Sequence, residues 1–236
     1  MKKEMEGSGI VIVTGASRGI GSATVEAMVR EHGRTVLAIS RDPKGLEKLR
    51  SLGTAVEILQ LDISSADAPA RILKQVADRR VVALIQNAGL LHSRSMGEHK
   101  TADLLELYHV NVIAPLLITQ ALVDRLDGDP AGHVVHIGSM GGFQDSVKFP
   151  GLVAYSASKA ALACQAQCLA EEFKSRAIRS NCLALGSVDT EMLRAAFPGF
   201  KAGMVAAEMG SFIARFALNG HHLFNGKVLP VATSTP

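Results

Sequence analysis

Short β-branched apolar runs alternate with longer amphipathic stretches along almost the whole chain. Ile10–Thr14, Thr35–Ser40, Ala55–Leu61, Val81–Gln86, His133–Ser139, Arg179–Ala184 and Lys227–Val231 read as strands. Helical periodicity fills the intervals over Ile20–Glu31, Lys44–Leu52, Ala66–Ala77, Thr101–Leu126 and Tyr155–Lys174, with a shorter helix near Met204–Leu218. Runs such as GIVIVTG and VVALIQNAG are apolar without alternation, the pattern of strands covered on both faces. Repeated strand–helix–strand units imply right-handed crossovers and a parallel sheet between helical layers. No repeat, low-complexity tract or linker breaks the pattern, so residues 1–236 are expected to form one α/β domain.

In such a sheet, ligands collect at the carboxyl ends of the strands. Gly15, Gly19 and Gly21 follow the first strand, and Asn87-Ala88-Gly89 the fourth. Gly138 to Gly142 follow the fifth, and Leu185-Gly186-Ser187 the sixth. Four loops are thereby directed to one edge.

Composition removes several classes of partner. With 25 Lys+Arg against 22 Asp+Glu the chain carries a formal +3, without the clustered basic footprint of a nucleic-acid binder. No tryptophan and only two tyrosines, Tyr108 and Tyr155, leave little for base stacking or a membrane-interface belt. No uninterrupted apolar run reaches the ~18 residues of a membrane span. The opening MKKEMEGSG lacks an apolar signal core, so the cytoplasm is the expected compartment. Cys164, Cys168 and Cys182 are expected as reduced thiols, and no metal site is expected.

Thr14-Gly15-Ala16-Ser17-Arg18-Gly19-Ile20-Gly21 runs from a strand into a helix. Its glycines permit a tight turn, and the helix N-terminus offers free N–H groups to a pyrophosphate. No Walker lysine follows, which disfavours a nucleoside-triphosphate module. At the end of the second strand, an acid would bind ribose hydroxyls and select NAD. Ser40 holds that position, with Arg41 beside it and Arg18 in the glycine loop, a pair of guanidiniums suited to a 2′-phosphate. The reading favours NADP(H). By spacing alone Asp42 competes as the ribose acid and keeps NAD(H) open.

Tyr155 and Lys159 stand one helical turn apart on one face. Lowering a phenol from about 10 to about 7 requires about 4 kcal/mol. A lysine cation about 4 Å away, at an effective dielectric of about 20, supplies that much. Such a phenol can exchange a proton with a carbonyl or alcohol oxygen. Ser139 ends the fifth strand, 16 residues before Tyr155, where a hydroxyl can hold the same oxygen or simply cap a turn. Asn111 falls inside a helical stretch, an unfavoured place for asparagine unless its side chain has a task.

TGASRGIG, QNAG, Asn111-Val112, IGS, YSASK and the VDT of Val188–Thr190 follow one another in the order seen in the short-chain dehydrogenase/reductases, which the chain resembles from Ile10 to about Val231. The resemblance implies a Rossmann-like, doubly wound sheet of seven parallel strands and hydride transfer with a nicotinamide dinucleotide. It implies Tyr155 as acid/base, Ser139 as substrate-oxygen anchor, Lys159 on the nicotinamide ribose and Asn111 as holder of a relay water. Gly15, Ser17, Arg18, Gly19, Ile20, Gly21, Ser40, Arg41, Asp62, Ile63, Asn87, Ala88, Gly89, Gly186, Val188 and Thr190 would line the cofactor site, with Asp62 at the adenine and Thr190 at the carboxamide. It also implies a homodimer or homotetramer.

The chain departs from the family pattern at Gln86, which replaces a first Asn, and at Leu185, which replaces a Pro and should leave the backbone less restrained. The tail VLPVATSTP lacks the common Asp-Gly-Gly. Leu90, Leu91, Met140, Phe143, Phe149, Met192, Leu193 and Phe197 are the expected substrate wall, with Arg94, Lys148, Arg194 and Lys201 as the nearby charges. That mixture suits a carbonyl or alcohol that is apolar, or an acyl chain with a polar handle. The faces of the Tyr155 helix expected to be free for another subunit carry Ala160, Ala163, Gln165, Ala166 and Gln167. The competing readings are a catalytically silent dinucleotide sensor and an NAD-preferring alcohol dehydrogenase.

Overall fold

The structure is a computed structural model that describes residues 9–233. The first eight residues of the N-terminal segment read above for targeting and the last three residues of the tail lie outside the described residues. Seven parallel strands, β1 (Ile10–Thr14), β2 (Thr35–Ser40), β3 (Val56–Gln60), β4 (Val81–Gln86), β5 (Gly132–Ile137), β6 (Ile178–Leu185) and, last in the chain, β9 (Val228–Val231), build one sheet. Their order, β3-β2-β1-β4-β5-β6-β9, reverses direction at β1 and β4, so the loops after those strands part and leave a crevice.

Continuous apolar runs are explained by two cores. Val11 and Val13 of β1 face one layer, and Ile10 and Ile12 face the other. The first layer holds α1 (Gly19–Arg30), α2 (Pro43–Leu49) and α9 (Ala206–Asn219); the second holds α3 (Ala68–Val76), α5 (Ala114–Ala121) and α7 (Val153–Glu172). Alternation of side chains across each strand sends successive residues to opposite cores, and both must be apolar.

The long helix expected over Thr101–Leu126 is not one regular helix. It is α4 (Thr101–Tyr108), a π-helical turn over His109–Ile113, α5, and a short α6 (Val123–Leu126). Pro115 has no N–H to return to the preceding turn, and the wider turn instead closes with Ala114 N–H donating to His109 O. Gln165 of α7, with its amide oriented to suit both neighbours, donates to Val112 O and accepts from Leu116 N, each at 3.1 Å. Gln165 is thus engaged within the chain, and Ala166, expected on a free face, is fully buried. By length and composition the stretch Thr101–Ala121 is apolar enough to cross a bilayer, although acids and Asn111 break its apolar run. One side packs through Leu107, Val110, Ala114 and Ile118, while Leu105, Ile113, Leu116 and Leu117 are exposed.

A pair of two-residue strands and a one-turn helix were not legible in the sequence. β7 (Val188–Asp189) pairs with β8 (Met204–Val205), and α8 (Glu191–Ala196) lies between them. Met204 was expected to start the helix that begins at Ala206. Leu185 is not the loose point expected from its missing proline. It pairs with Val231 in the sheet, and Gly186 N donates to Val231 O at 2.9 Å.

Candidate active site

The strand-end loops enclose a cleft of about 500 Å3. Every cofactor residue expected above lines it, as do Ser139, Tyr155 and Lys159. Asn111 does not; it stands behind the wall.

The glycine loop is shaped by what a larger residue would strike. Gly15 sits at φ +66°, and a Cβ there would fall 2.7 Å from Ala88 Cα. At Gly21 a Cβ would meet Gly15 O at 2.2 Å and Asn87 Nδ2 at 2.5 Å. Asn87 Nδ2 donates to Thr14 O and Gly15 O, and Thr14 Oγ1 accepts from the N–H groups of Asn87 and Ala88, all between 3.0 and 3.1 Å. Asn87 is thus a strut that ties the ends of β1 and β4 together. Arg18, at the head of α1, provides no side-chain cap, so the helix presents its first N–H groups to the cleft.

At the β2 end, Asp42 caps α2, accepting from Lys44 N at 3.0 Å. Its carboxylate is thereby engaged, which weakens its claim as the ribose acid. Ser40 Oγ donates to Ser17 Oγ at 2.9 Å. Both arginines already meet carboxylates: Arg41 pairs with Asp62 at 3.4 Å and Arg18 with Glu191 at 2.8 Å. These pairs are exposed and contribute little, so a stronger anion can displace them. Hydrogen bonds from Ser64 and the nearby Arg41 hold the Asp62 carboxyl below the usual range despite partial burial. The Arg18–Glu191 pair joins the glycine loop to α8, a contact between residues 173 apart that no local pattern signals.

On the chemical side, Ser139 Oγ accepts from Gly141 N at 3.1 Å and is also hydrogen-bonded to Tyr155. It therefore caps the turn after β5 while standing beside the Tyr155 hydroxyl. Tyr155 departs from expectation. Burial pushes its hydroxyl above the ordinary phenol value, and the bond to Ser139 works only partly against that. Lys159 Nζ lies 5.9 Å from the ring centroid and donates to Ile137 O at 2.8 Å. Burial brings Lys159 itself down to about 8, opposed by the neighbouring Cys182, whose thiol burial raises to about 12. Gly89 leaves this ammonium its space, since a Cβ there would come within 3.3 Å of Nζ.

Asn111 Oδ1 accepts from Leu90 N at 2.8 Å, while Nδ2 donates to Leu90 O and Ser158 Oγ, each at 2.9 Å. The π turn aims this side chain at the loop after β4 and at α7 together, which gives the mid-helix asparagine its task. Thr190 Oγ1 caps α8 by accepting from Leu193 N at 3.2 Å. Of the expected substrate wall, Leu91, Met140, Phe149, Met192, Leu193 and Phe197 line the cleft, and Leu90 and Phe143 do not. Sequence reasoning missed Leu61 and Val110, which also line the cleft.

A doubly wound parallel sheet, a glycine loop at its crevice and a Ser–Tyr–Lys group beside it define a dinucleotide-binding oxidoreductase. Residues 9–199 match the short chain dehydrogenase family. The chain is 31% identical over 208 residues to protein FixR of Bradyrhizobium diazoefficiens, covering 84% of this chain and 72% of that protein. It is 29% identical over 191 residues to the 3-oxoacyl-(acyl-carrier-protein) reductase FabG of Pseudomonas aeruginosa, covering 78% and 76% of the two chains. A Shigella flexneri short chain dehydrogenase complexed with NADP superimposes with a TM-score of 0.83 at 26% identity, over 95% of this chain and 97% of that one. The chain belongs to the short-chain dehydrogenase/reductase family and is an oxidoreductase of that family.

Proposed function

We propose that this protein reduces a ketone, aldehyde or 3-oxoacyl group to an alcohol, or runs the reverse, with NADP(H) as its hydride carrier. The observation that carries the reading is the meeting of Ser139, Tyr155 and Lys159 in one cleft whose β2 end offers Ser40, Arg41 and Arg18 and no free strand-end acid. The cleft fits a dinucleotide: its floor is glycine, and the α1 N-terminus is uncapped. Gly15, Ser17, Gly19, Ile20 and Gly21 would hold the pyrophosphate, Arg18 and Arg41 the 2′-phosphate, and Asp62 and Ile63 the adenine side. Gly186, Val188 and Thr190 would hold the nicotinamide end. When bound, the dinucleotide supplies or accepts the hydride.

The residues of the chain manage oxygen and proton. In reduction the Tyr155 hydroxyl gives its proton to the carbonyl oxygen; in oxidation it takes the proton back. Ser139 holds the same oxygen by a second hydrogen bond. The Lys159 ammonium favours the phenolate over the phenol by charge alone. Asn111 keeps the Leu90 loop and α7 in register, so that this group stays assembled.

A carbonyl and alcohol panel followed by NADPH absorbance, with NADH in parallel, tests the reading. Turnover with at least a tenfold preference for NADPH is expected. NADPH binding without turnover across the panel would support the silent sensor instead. The protein is further proposed to work in the cytoplasm as a homodimer or homotetramer, a second copy covering Leu105, Ile113, Leu116 and Leu117. Light scattering of Leu116→Glu against the unchanged protein checks this, with a shift to monomer expected.

A further inference from the structure

Phe149 lies in the loop between β5 and α7, and Phe197 closes α8. The two rings meet edge to face, centroids 5.3 Å apart at 77°. Both line the cleft, together with Leu91, Met140, Leu152 and Leu193. Arg94 N donates to Gly151 O at 3.0 Å, so the loop after β4 braces the loop that carries Phe149.

Three of the four charges expected near this wall are turned elsewhere, and the fourth, Lys201, is exposed and does not line the cleft. Arg94 pairs with Asp103 and Arg194 with Asp189. Lys148 Nζ donates to Phe143 O and Ser146 Oγ. Among the described residues, the only lysines and arginines lining the cleft are Arg18, Arg41 and Lys159. The first two stand at the glycine loop and the end of β2, and Lys159 is bound to Ile137 O beneath Gly89. Next to Met192 stands an acid, Glu191, and the guanidinium that it holds, Arg18, is the one assigned above to the 2′-phosphate. A carboxylate or phosphate on the substrate would lose water there and meet no cation left over by the 2′-phosphate, Ile137 O and the ion pairs above.

We infer that the substrate is a neutral carbonyl compound, or its alcohol, bearing an aryl or branched alkyl group seated against the Phe149–Phe197 pair. The inference rests on the reductase reading above and deepens it. Ring edges and faces at this separation suit a third apolar group, and the methionines adapt to its outline.

Matched pairs that differ only in charge test it. Methyl benzoylformate and benzoylformate are compared as substrates with NADPH. Methyl mandelate and mandelate are compared calorimetrically as ligands of the NADP+-saturated protein. The neutral member should win at least tenfold in kcat/KM and in Kd. Phe149→Ala and Phe197→Ala should each lower the ratio of kcat/KM for acetophenone over propanone about tenfold. Met192→Arg places a cation at the wall and should shrink the ester-to-acid ratio at least tenfold, a gain that misfolding cannot imitate. An acid used as well as its ester, or Phe variants that leave the aryl ratio unchanged, would overturn the inference. If no carbonyl is turned over yet methyl mandelate still outbinds mandelate, the reductase reading falls and the wall assignment stands. Equal or absent binding removes the assignment itself.

Discussion

Replacing Lys159 by methionine exposes the cost of holding an ammonium in the floor of the cleft. Lys159 is 4% exposed, and burial lowers it from 10.5 to about 8. Below pH 8 both folded and unfolded chains carry the charge, and the folded chain bears the full penalty, roughly 3 kcal/mol at about 1.4 kcal/mol per pH unit. Between about pH 8 and 10.5 the folded chain releases the proton while the unfolded chain keeps it, so stability rises with pH. By about pH 10 the penalty is roughly 1 kcal/mol. In the folded chain the neighbouring groups do not titrate across this window, since Cys182 is raised to about 12, Tyr155 is raised above its usual 10 and His136 is lowered to about 3, and their titration in the unfolded chain is common to both proteins and cancels in the difference. Methionine is similar in length and uncharged, and it leaves Ile137 O without its donor, a pH-independent loss of about 1–3 kcal/mol. Urea unfolding of both proteins without added dinucleotide, from pH 7 to 10 at constant ionic strength, isolates the pH-dependent part. The wild-type chain should gain roughly 2–3 kcal/mol on Lys159→Met across that range. A constant difference, or one that moves toward the variant, would refute a buried ammonium lowered to about 8.

Three other outcomes are expected. Tyr155→Phe should lose about 10²- to 10⁴-fold in kcat, the range for a general acid, while NADPH titrated by fluorescence binds within a few-fold of wild type. Arg41→Ala should weaken NADPH about 10- to 100-fold, in keeping with the ~1.5–3 kcal/mol of a charge-assisted hydrogen bond; equal losses for NADH would return the choice to NAD. Gly21→Ala drives a methyl group into Gly15 O and Asn87, so a loss of about 1–3 kcal/mol is expected in denaturant melts, together with weakened NADPH binding.

The sheet was legible because its strands are buried on both sides, which writes an apolar run of a definite length into the sequence. The glycine loop was legible for a similar reason: Gly15 and Gly21 sit where backbone touches backbone, and no other residue type fits. Tyr155 and Lys159 share a helix, and their spacing alone puts them on one face. These features depend on neighbours along the chain, and the sequence determines them. Contacts between distant segments were decided by the tertiary structure. The 5.3 Å meeting of Phe149 and Phe197 and the Arg18–Glu191 bridge exist because the sheet order brings four loops to one edge. The same holds for direction. Asp42 could bind a ribose or cap a helix, and Pro43 opening α2 turned it to the cap. Asn111 could face solvent or the cleft, and the π turn before Pro115 turned it to Leu90 and Ser158. Charge on Tyr155 was the hardest to foresee. Spacing fixed that a lysine would be near, but burial, which only the packed fold decides, pushes the phenol above its ordinary value.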